Sequence, residues 1–329
     1  MTTQVDNVFS PEQAYIDWTQ YARGRAPYQK RMFDIIYDYH SKGGAGWDLV
    51  IDHGAGDCTL APFLLQRFKH VEATDASEAQ LKIGEERLRK AGIDETRLTI
   101  RTCPAGSNPG PDASADMVTA ATCVHFFDIP AFLTDAARLL KPGGTLAIFT
   151  SGGIPVIIDR DQSGMTKLSA TGEMLMEWFS KTVMTELARL SPKVASQLNI
   201  DKIAIPPVHF EAEMRYDLGA QGADKNGYIK LWNTSPEDRK FGKDATVVKE
   251  RPQDPRKAIV YRNDVTFEDL DRFIISIGRA KGEGRVPWID SQEWKTARAE
   301  MVKMAGGEHV KMEAVYVSRL ERCNTVEPH

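Results

Sequence analysis

The sequence predicts an α/β protein in which a largely parallel sheet is covered by helices on both faces. The first observation is the apolar run at residues 49–51, which enters a turn with glycines at 54 and 56 and is followed by a helix-forming stretch. The second is that the next hundred residues alternate strand-like and helix-like segments. The third is the sharp Lys-Pro-Gly-Gly turn at 141–144, which leads into another apolar run.

Each element of the sheet has its own local signal. The second strand is short and ends at Asp75, and Ser77 with Gln80 then forms a capping-box pattern that predicts a helix through residue 90. Thr266 is predicted as the N-cap of a later helix with Asp269 in its first turn. The other predicted elements are strands at 98–102, 117–123, 145–150, 209–216 and 310–322, and helices at 32–40, 130–140 and 173–190.

The glycine turn and Asp75 together predict a nucleoside-binding site. Glycines at 54 and 56 let the backbone approach a bulky ligand, and an acid at the end of the second strand is placed to accept both hydroxyls of a ribose. Thr59 stands where the dinucleotide fingerprint has its third glycine, and Asp52 would put a negative charge beside a phosphate. Both features favour a cofactor that carries an amino group and a sulfonium.

Residues 52–56 carry the pattern D-x-G-x-G, which resembles motif I of the class I S-adenosylmethionine methyltransferases, and L-K-P-G-G-T-L-x-I at 140–148 resembles a second feature of that class. The resemblance implies a Rossmann-like seven-stranded sheet with an α-helical cap, and S-adenosylmethionine as the cofactor, with S-adenosylhomocysteine as its product. Pro104-Ala105 replaces the Asp-Ala of many relatives, so adenine is expected to be held by backbone and apolar contacts. The implied cofactor-binding residues are Tyr21, Arg25, Tyr28, Asp52, Gly54, Ala55, Gly56, Asp75, Ala76, Gln80, Pro104, Ala105, Thr122 and Cys123.

A narrower resemblance is carried by residues 21–40 and 123–128. These segments resemble the trans-aconitate methyltransferase group, whose usual forms are Y-x-x-x-R-P-x-Y-P and C-x-H-W-F-D. Ala26, Gln29 and Phe126 depart from those forms, so the pocket floor is expected to differ in shape. The resemblance implies a small-molecule acceptor, methylated on a carboxylate oxygen or, as in relatives acting on secondary metabolites, on a thiol. The matching residues are Tyr21, Arg25, Tyr28, His125, Phe127 and Asp128.

Four residues are the candidates for acting on the acceptor: His125, Phe127, Arg25 and Trp178. His125 follows the fourth strand at the ligand-binding edge of the sheet, where it is either a base, a hydrogen-bond donor or a packed histidine. Arg25 pairs either with an acidic acceptor or with the carboxylate of the donor. Trp178 lies in an apolar helical stripe that forms either a lid over the methyl donor or ordinary core.

Composition narrows the function classes. The chain has 42 basic and 46 acidic residues, a net charge of −4, and no basic run, which argues against nucleic acid as a partner. No apolar run has the length of a membrane span, and the four cysteines have neither metal-ligand nor disulfide spacing. The sequence therefore predicts a cytoplasmic enzyme without a metal site, as a monomer or a dimer.

Four regions are predicted: N-terminal cap helices at 1–45, a cofactor-binding core at 46–153, a helical lid insertion at 154–205, and the rest of the sheet at 206–329 with a loop insertion at about 219–262. Two other functions stay open. One is a methyltransferase-fold protein that binds the cofactor but regulates or catalyses another reaction. The other, disfavoured by Thr59 and Asp52, is an NAD-dependent oxidoreductase.

Overall fold

The computed structural model describes residues 14–16, 20–21, 24, 28–151, 156–160, 166–218, 240, 245–250, 261–313 and 316–323. Its strands are β1 (Leu49–His53), β2 (His70–Asp75), β3 (Leu98–Thr102), β4 (Ala115–Ala121), β5 (Leu140–Ser151), β6 (Val156–Arg160), β7 (Thr166–Leu168), β8 (Phe210–Leu218), β9 (Thr246–Glu250), β10 (Tyr261–Thr266), β11 (His309–Glu313) and β12 (Tyr316–Cys323). Its helices are α1 (Lys30–Ser41), α2 (Ala61–Leu64), α3 (Glu78–Lys90), α4 (Ile129–Leu139), α5 (Ala170–Trp178), α6 (Thr185–Leu190), α7 (Pro192–Gln197), α8 (Phe267–Ser276) and α9 (Gln292–Ala305).

The main sheet has the strand order β3-β2-β1-β4-β5-β12-β8-β9. Strands β1 to β5 pair in parallel, whereas β12 is antiparallel to both β5 and β8. This confirms the predicted Rossmann-like fold class, and an eighth strand, β9, extends the predicted seven. Because β1 lies between β2 and β4, the strand order reverses there, and in open α/β sheets ligands bind at the carboxyl ends of the strands at such a point.

The two faces of the sheet are covered by different helices. Along β1, Val50 packs into the core on the side of α1 and Ile51 into the core on the side of α4, as the alternation of a strand requires. On the α1 side, Phe33 stacks on Phe63 with ring centroids 4.6 Å apart. On the α4 side, Phe132 is fully buried.

The helix predicted at 32–40 is present as α1, but its expected place as a cap over the cofactor needs correction. Met32, Phe33 and Ile36 are almost fully buried in the main core, because the apolar stripe of α1 packs on the sheet. Tyr28, just before α1, lies at the carboxyl ends of the strands, beside Thr122. Before α1, residues 20–21 and 24 are helical, and most of residues 1–27 lie outside the described residues.

The region after β5 is a mixed α/β layer, where the sequence predicted only helices. Strands β6 and β7 join β10 and β11 in a second, antiparallel sheet of order β10-β11-β6-β7. The stretch predicted as one helix at 173–190 consists of α5, a π-helical segment at Phe179–Met184 and α6. We call α5, α6, α8, α9 and the second sheet the appended layer; its core includes Leu175, Phe267 and Trp294.

Two other predicted segments differ from the structure. The strand predicted at 310–322 is two strands, β11 and β12, which belong to different sheets, because an apolar strand pattern does not specify its partner. The loop predicted at 219–262 contains β9 and the start of β10, and most of its other residues lie outside the described part. The strand predicted at 209–216 and the Thr266 N-cap are confirmed, and Thr266 and Asp269 form a reciprocal capping box.

No helix in the described part of the chain is long and apolar enough to cross a membrane. Within the same ranges, no group of three or more His, Cys, Asp or Glu side chains is arranged to hold a metal ion.

Candidate functional site

The candidate site lies where β1 and β4 end, at the reversal of strand order. Gly54 follows β1 with φ +66°, a conformation that side chains rarely adopt. A Cβ atom on Gly54 would lie 2.7 Å from Sγ of Cys123 and 3.0 Å from Cζ of Phe127. The loop backbone therefore passes directly against the end of β4, and a side chain at position 54 would displace one of the two.

Asp75 joins the end of β2 to the glycine loop. Its Oδ2 accepts a hydrogen bond from the Gly56 amide at 2.9 Å, and its Oδ1 accepts one from the Ser77 amide at 2.7 Å. Burial raises the pKa of Asp75, while hydrogen bonds from the backbone amides of Ser77, Gly56 and Ala76 oppose that rise. Each carboxylate oxygen has two acceptor sites, so the group retains capacity for the hydroxyls of a ribose.

The Gln80 side chain lies over the same loop. A Cβ on Gly56, which has φ +56°, would lie 2.9 Å from Oε1 of Gln80. The Gln80 amide also donates to Oγ of Ser77 at 3.4 Å, as expected from the predicted cap. Gln80 is thus held at the entrance to α3 with its side-chain amide beside the glycine loop.

Asp52, the second acid of the site, is buried at the end of β1. Oγ1 of Thr119 donates a hydrogen bond to its Oδ1 at 2.7 Å. Burial raises the pKa of Asp52 to about 7, the Thr119 bond lowers it, and the charge of Asp75 raises it. Sequence reasoning missed Thr119, because its position opposite Asp52 depends on the register of β1 and β4.

Three backbone amides of the loop are occupied by protein acceptors. The Ala55 amide donates to Thr74 O at 2.9 Å and the Cys58 amide to Ala55 O at 2.8 Å, while Gly56 donates to Asp75. A pyrophosphate needs free amides aimed at it, usually at a helix N-terminus, and α2 begins only at Ala61. The loop therefore fits a nucleoside held by carboxylates better than a pyrophosphate.

Tyr28 closes one side of the site. Its hydroxyl lies 3.3 Å from Oγ1 of Thr122, and its ring packs edge-on against Phe149 with centroids 5.9 Å apart. Burial raises the pKa of Tyr28, and Tyr21, Cys123 and Asp52 add to that rise, which places those groups within electrostatic range of its hydroxyl. The predicted partner Arg25 lies outside the described residues.

Thr122 and Cys123 form the wall at the end of β4. Thr122 has φ +57°, a strained value for a threonine, and such strain is concentrated at functional sites. Sγ of Cys123 donates to the carbonyl of His53 at 3.2 Å. Because its thiol is buried, the pKa of Cys123 is well above its usual value, so it is a neutral wall residue.

His125 and Phe127 follow in a short 3-10 turn, Val124–Phe126. The half-buried His125 ring lies 4.1 Å from the ring of Phe126, whereas Phe127 packs on Phe132 at 5.0 Å. Asp128 caps α4 by accepting a hydrogen bond from the Ala131 amide at 3.2 Å. The turn brings His125 to the ligand-binding edge, and Phe127 contributes to the floor beneath Gly54.

Pro104 and Ala105 follow β3 close to Asp75. The Cys103 amide donates to the carbonyl of Asp75 at 3.0 Å, which fixes the chain after β3 next to the end of β2. Ala105 packs on the core beneath α4, whereas Pro104 and Ala76 are exposed. This edge presents apolar and backbone groups, and the adenine contact there stays a prediction.

Comparison with known proteins agrees with this architecture. Residues 51–148 match a family model described as a methyltransferase domain, and they span the glycine loop, Asp75 and the end of β4. This segment is thus similar to a methyltransferase domain. Every candidate residue from Asp52 to Phe127 lies within the matched segment, whereas Tyr21 and Tyr28 precede it.

Curated relatives with the methyltransferase name include proteins of Aspergillus species. The chain is 30% identical over 167 residues to Methyltransferase AacuQ of Aspergillus aculeatus, covering 51% of this chain and 52% of that protein. It is 27% identical over 212 residues to Methyltransferase cfoB of Aspergillus candidus, covering 60% of this chain and 63% of that protein. The chain thus spans about half to three-fifths of the length of these relatives.

Solved methyltransferase structures are also similar. One, titled a putative type II methyltransferase from Anaeromyxobacter dehalogenans, has a TM-score of 0.43 and 16% identity, with 93% of this chain and all of that chain covered (100%). Another, titled a putative sarcosine dimethylglycine methyltransferase from Galdieria sulphuraria, has a TM-score of 0.40 and 15% identity. The match covers 89% of this chain and 85% of that chain.

Trp178 lies outside the segment that matches the methyltransferase family model. It is buried in the core of the appended layer, with its ring centroid 4.9 Å from Trp294 and 6.0 Å from Trp288. The expectation that it shields the methyl donor is therefore corrected: its apolar stripe packs against α9 and the residues before it. Sequence periodicity gave no means of telling a lid from a second core.

Proposed function

We propose that the protein transfers a methyl group from S-adenosylmethionine to a small-molecule acceptor. The observation that carries the proposal is the pair of acids around the glycine loop: Asp75 bonded to the Gly56 amide, and buried Asp52 bonded to Thr119. A ribose and an amino group are the two parts of this cofactor that carboxylates recognise. When bound, the cofactor supplies an electrophilic methyl group.

The residues of the chain then have separate roles. Asp75 accepts the ribose hydroxyls, Asp52 pairs with the amino group, and the glycine loop allows the close approach of both. Tyr28 excludes water from the side of Thr122. Since methyl transfer is an in-line displacement, alignment of donor and acceptor supplies much of the rate, up to about 7–11 kcal/mol of the barrier.

We propose an acceptor that carries a carboxylate or a thiol. A carboxylate is ionised at neutral pH and a thiol is partly so, and neither requires a strong base. His125 is the residue placed to hold such an acceptor, by donating a hydrogen bond to an oxygen or by taking a thiol proton. Arg25 is proposed to pair with an acidic acceptor or with the carboxylate of the donor.

The trans-aconitate and thiol-methylating groups are proposed as the nearest functional analogues, on the motifs at 21–28 and 123–128. We also propose a cytoplasmic location and no nucleic-acid partner, from the near-neutral charge and cysteine pattern. A monomer and a dimer are both compatible with this proposal.

The test is calorimetric titration with S-adenosylhomocysteine and, in parallel, NAD, followed by a donor-turnover screen. Dicarboxylates, tricarboxylates, dithiols and phenols are the acceptor classes to screen. We expect S-adenosylhomocysteine to bind and NAD not to, with turnover on a carboxylate or a thiol. Binding without turnover on any class would favour a non-methylating role, and preferential binding of NAD would contradict the proposal.

A further inference from the structure

The segment before α1 is in contact with the appended layer as well as with the donor site. Gly24 lies so close to α8 that a Cβ on it would be 2.7 Å from the carbonyl carbon of Arg272 and 2.8 Å from Cβ of Ser276. Real Cβ atoms essentially never approach other atoms this closely. Only glycine therefore lets the helical turn at position 24 rest on the backbone of α8.

A second contact ties the same segment to the appended layer nearer the N-terminus. Ala14 forms a β-bridge with Ala280, and the Tyr15 amide donates to the carbonyl of Arg279 at 2.8 Å. The Tyr15 hydroxyl donates to the carbonyl of Arg285 at 3.0 Å. Two separate anchors thus fix the segment on the layer that follows β10.

The other end of the segment lies at the donor site. Tyr28, four residues after Gly24, contacts Thr122 at the end of β4, and Tyr21, three residues before it, is within electrostatic range of the Tyr28 hydroxyl. At most about 14 Å of chain separates Gly24 from Tyr28, so we expect a displacement of Gly24 from α8 to move Tyr28 as well.

We propose that Gly24 is a positioning residue for the donor site: its contact with α8 holds Tyr21 and Tyr28 in place and couples cofactor binding to the appended layer. The inference rests on the proposed function, because it assigns Tyr21 and Tyr28 to the cofactor. Coupling of this kind is reciprocal, so cofactor binding also stabilises α8.

The first test is Gly24→Ala. Relief of the contact moves the segment by roughly 1 Å, and a misplacement of that size lowers rates by about a hundredfold. We expect kcat/KM to fall by about that factor and the Kd for S-adenosylhomocysteine to rise about tenfold or more. Ser276→Ala is the matched control, because it keeps the Cβ that faces Gly24 and removes only the hydroxyl bonded to Phe273 O.

The second test uses the wild-type protein, so it does not depend on the variant folding. Amide hydrogen exchange is measured with and without S-adenosylhomocysteine. Protection of both the loop 54–58 and α8 supports the inference. Protection of the loop with α8 unchanged, or a folded Gly24→Ala protein whose Kd is within twofold of wild type, would overturn it. Absence of protection at the loop itself would contradict the proposed cofactor binding, on which the inference rests.

Discussion

The Gly56 amide donates a hydrogen bond to Oδ2 of Asp75 at 2.9 Å, which ties the end of β2 to the glycine loop after β1. The two residues are 19 apart in sequence, and the parallel pairing of β1 and β2 brings them together. A single carboxylate therefore shapes the loop and presents its remaining acceptor sites at the point where the strand order reverses.

Asp75→Asn tests the ribose assignment with little change in shape. An amide accepts fewer hydrogen bonds and carries no charge, and hydrogen bonds to a charged group contribute about 1.5–3 kcal/mol. We expect the Kd for S-adenosylhomocysteine to rise by roughly 10- to 100-fold. Asp94→Asn, at the exposed cap of a surface turn, is the control and should bind normally. An Asp75→Asn protein with wild-type affinity would show that the ribose binds elsewhere.

The raised pKa of Asp52 predicts a pH-dependent affinity. Burial raises this pKa to about 7, so the free protein holds Asp52 largely neutral below that value. Pairing with the amino group of the cofactor requires the ionised form, so binding below pH 7 must release a proton. We expect the affinity for S-adenosylhomocysteine to fall below about pH 7, approaching tenfold per pH unit.

Stability has the opposite pH dependence. The folded protein keeps a proton on Asp52 that the unfolded chain, with a pKa near 3.8, releases, so the free energy of unfolding falls as pH rises from about 4 to about 7. Asp52→Asn should remove the pH dependence of both the affinity and the free energy of unfolding. Thr119→Val should shift both pH profiles to higher pH, because the Thr119 hydrogen bond lowers the pKa of Asp52. Unshifted profiles in Thr119→Val would contradict the assignment of Asp52 as the titrating group.

A pair of glycine substitutions separates backbone strain from close packing. Gly54 (φ +66°) and Gly92 (φ +72°) share the left-handed conformation, but a Cβ meets Cys123 and Phe127 at position 54 and nothing within 4 Å at position 92. Each change to alanine should cost about 1–2 kcal/mol of strain. Only Gly54→Ala should also abolish S-adenosylhomocysteine binding, as measured by calorimetry. If both variants bound S-adenosylhomocysteine equally well, the loop at 54–56 would not be the cofactor loop.

His125→Gln tests how the acceptor is activated. With a carboxylate acceptor we expect kcat to fall by only about tenfold, well below the 10²–10⁴ typical of general-base loss, and the Kd for S-adenosylhomocysteine to stay within twofold. His70→Gln is the control, since His70 begins β2 at the opposite edge of the sheet and bonds to Thr99. A thousandfold fall in kcat would indicate proton abstraction and contradict a carboxylate acceptor.

The placement of the glycine loop and its two acids could be predicted because its signals are local. Asp52, Gly54, Gly56 and Asp75 lie within one strand-turn-helix-strand unit, where turn chemistry and apolar runs fix the placement of each residue. The register between strands is not local, and Thr119 was missed for that reason.

The appended layer was the least predictable part. The apolar stripe of α1 predicts a buried face without saying what buries it, and the helix packs on the sheet instead of capping the site. The stripe around Trp178 belongs to a second core that residues after 260 complete. The sequence did not single out Gly24, because local patterns do not reveal contacts between distant segments. Its contacts in α8, Arg272 and Ser276, are more than 240 residues away in the chain.

The most direct measurement is calorimetric titration of the wild-type protein with S-adenosylhomocysteine near pH 7.5. A cofactor site built on Asp52, Asp75 and the glycine loop predicts micromolar binding with one molecule per chain, lost in Asp75→Ala. A folded wild-type protein that takes up no S-adenosylhomocysteine at millimolar concentration would contradict the assignment of this edge of the sheet as a methyl-donor site.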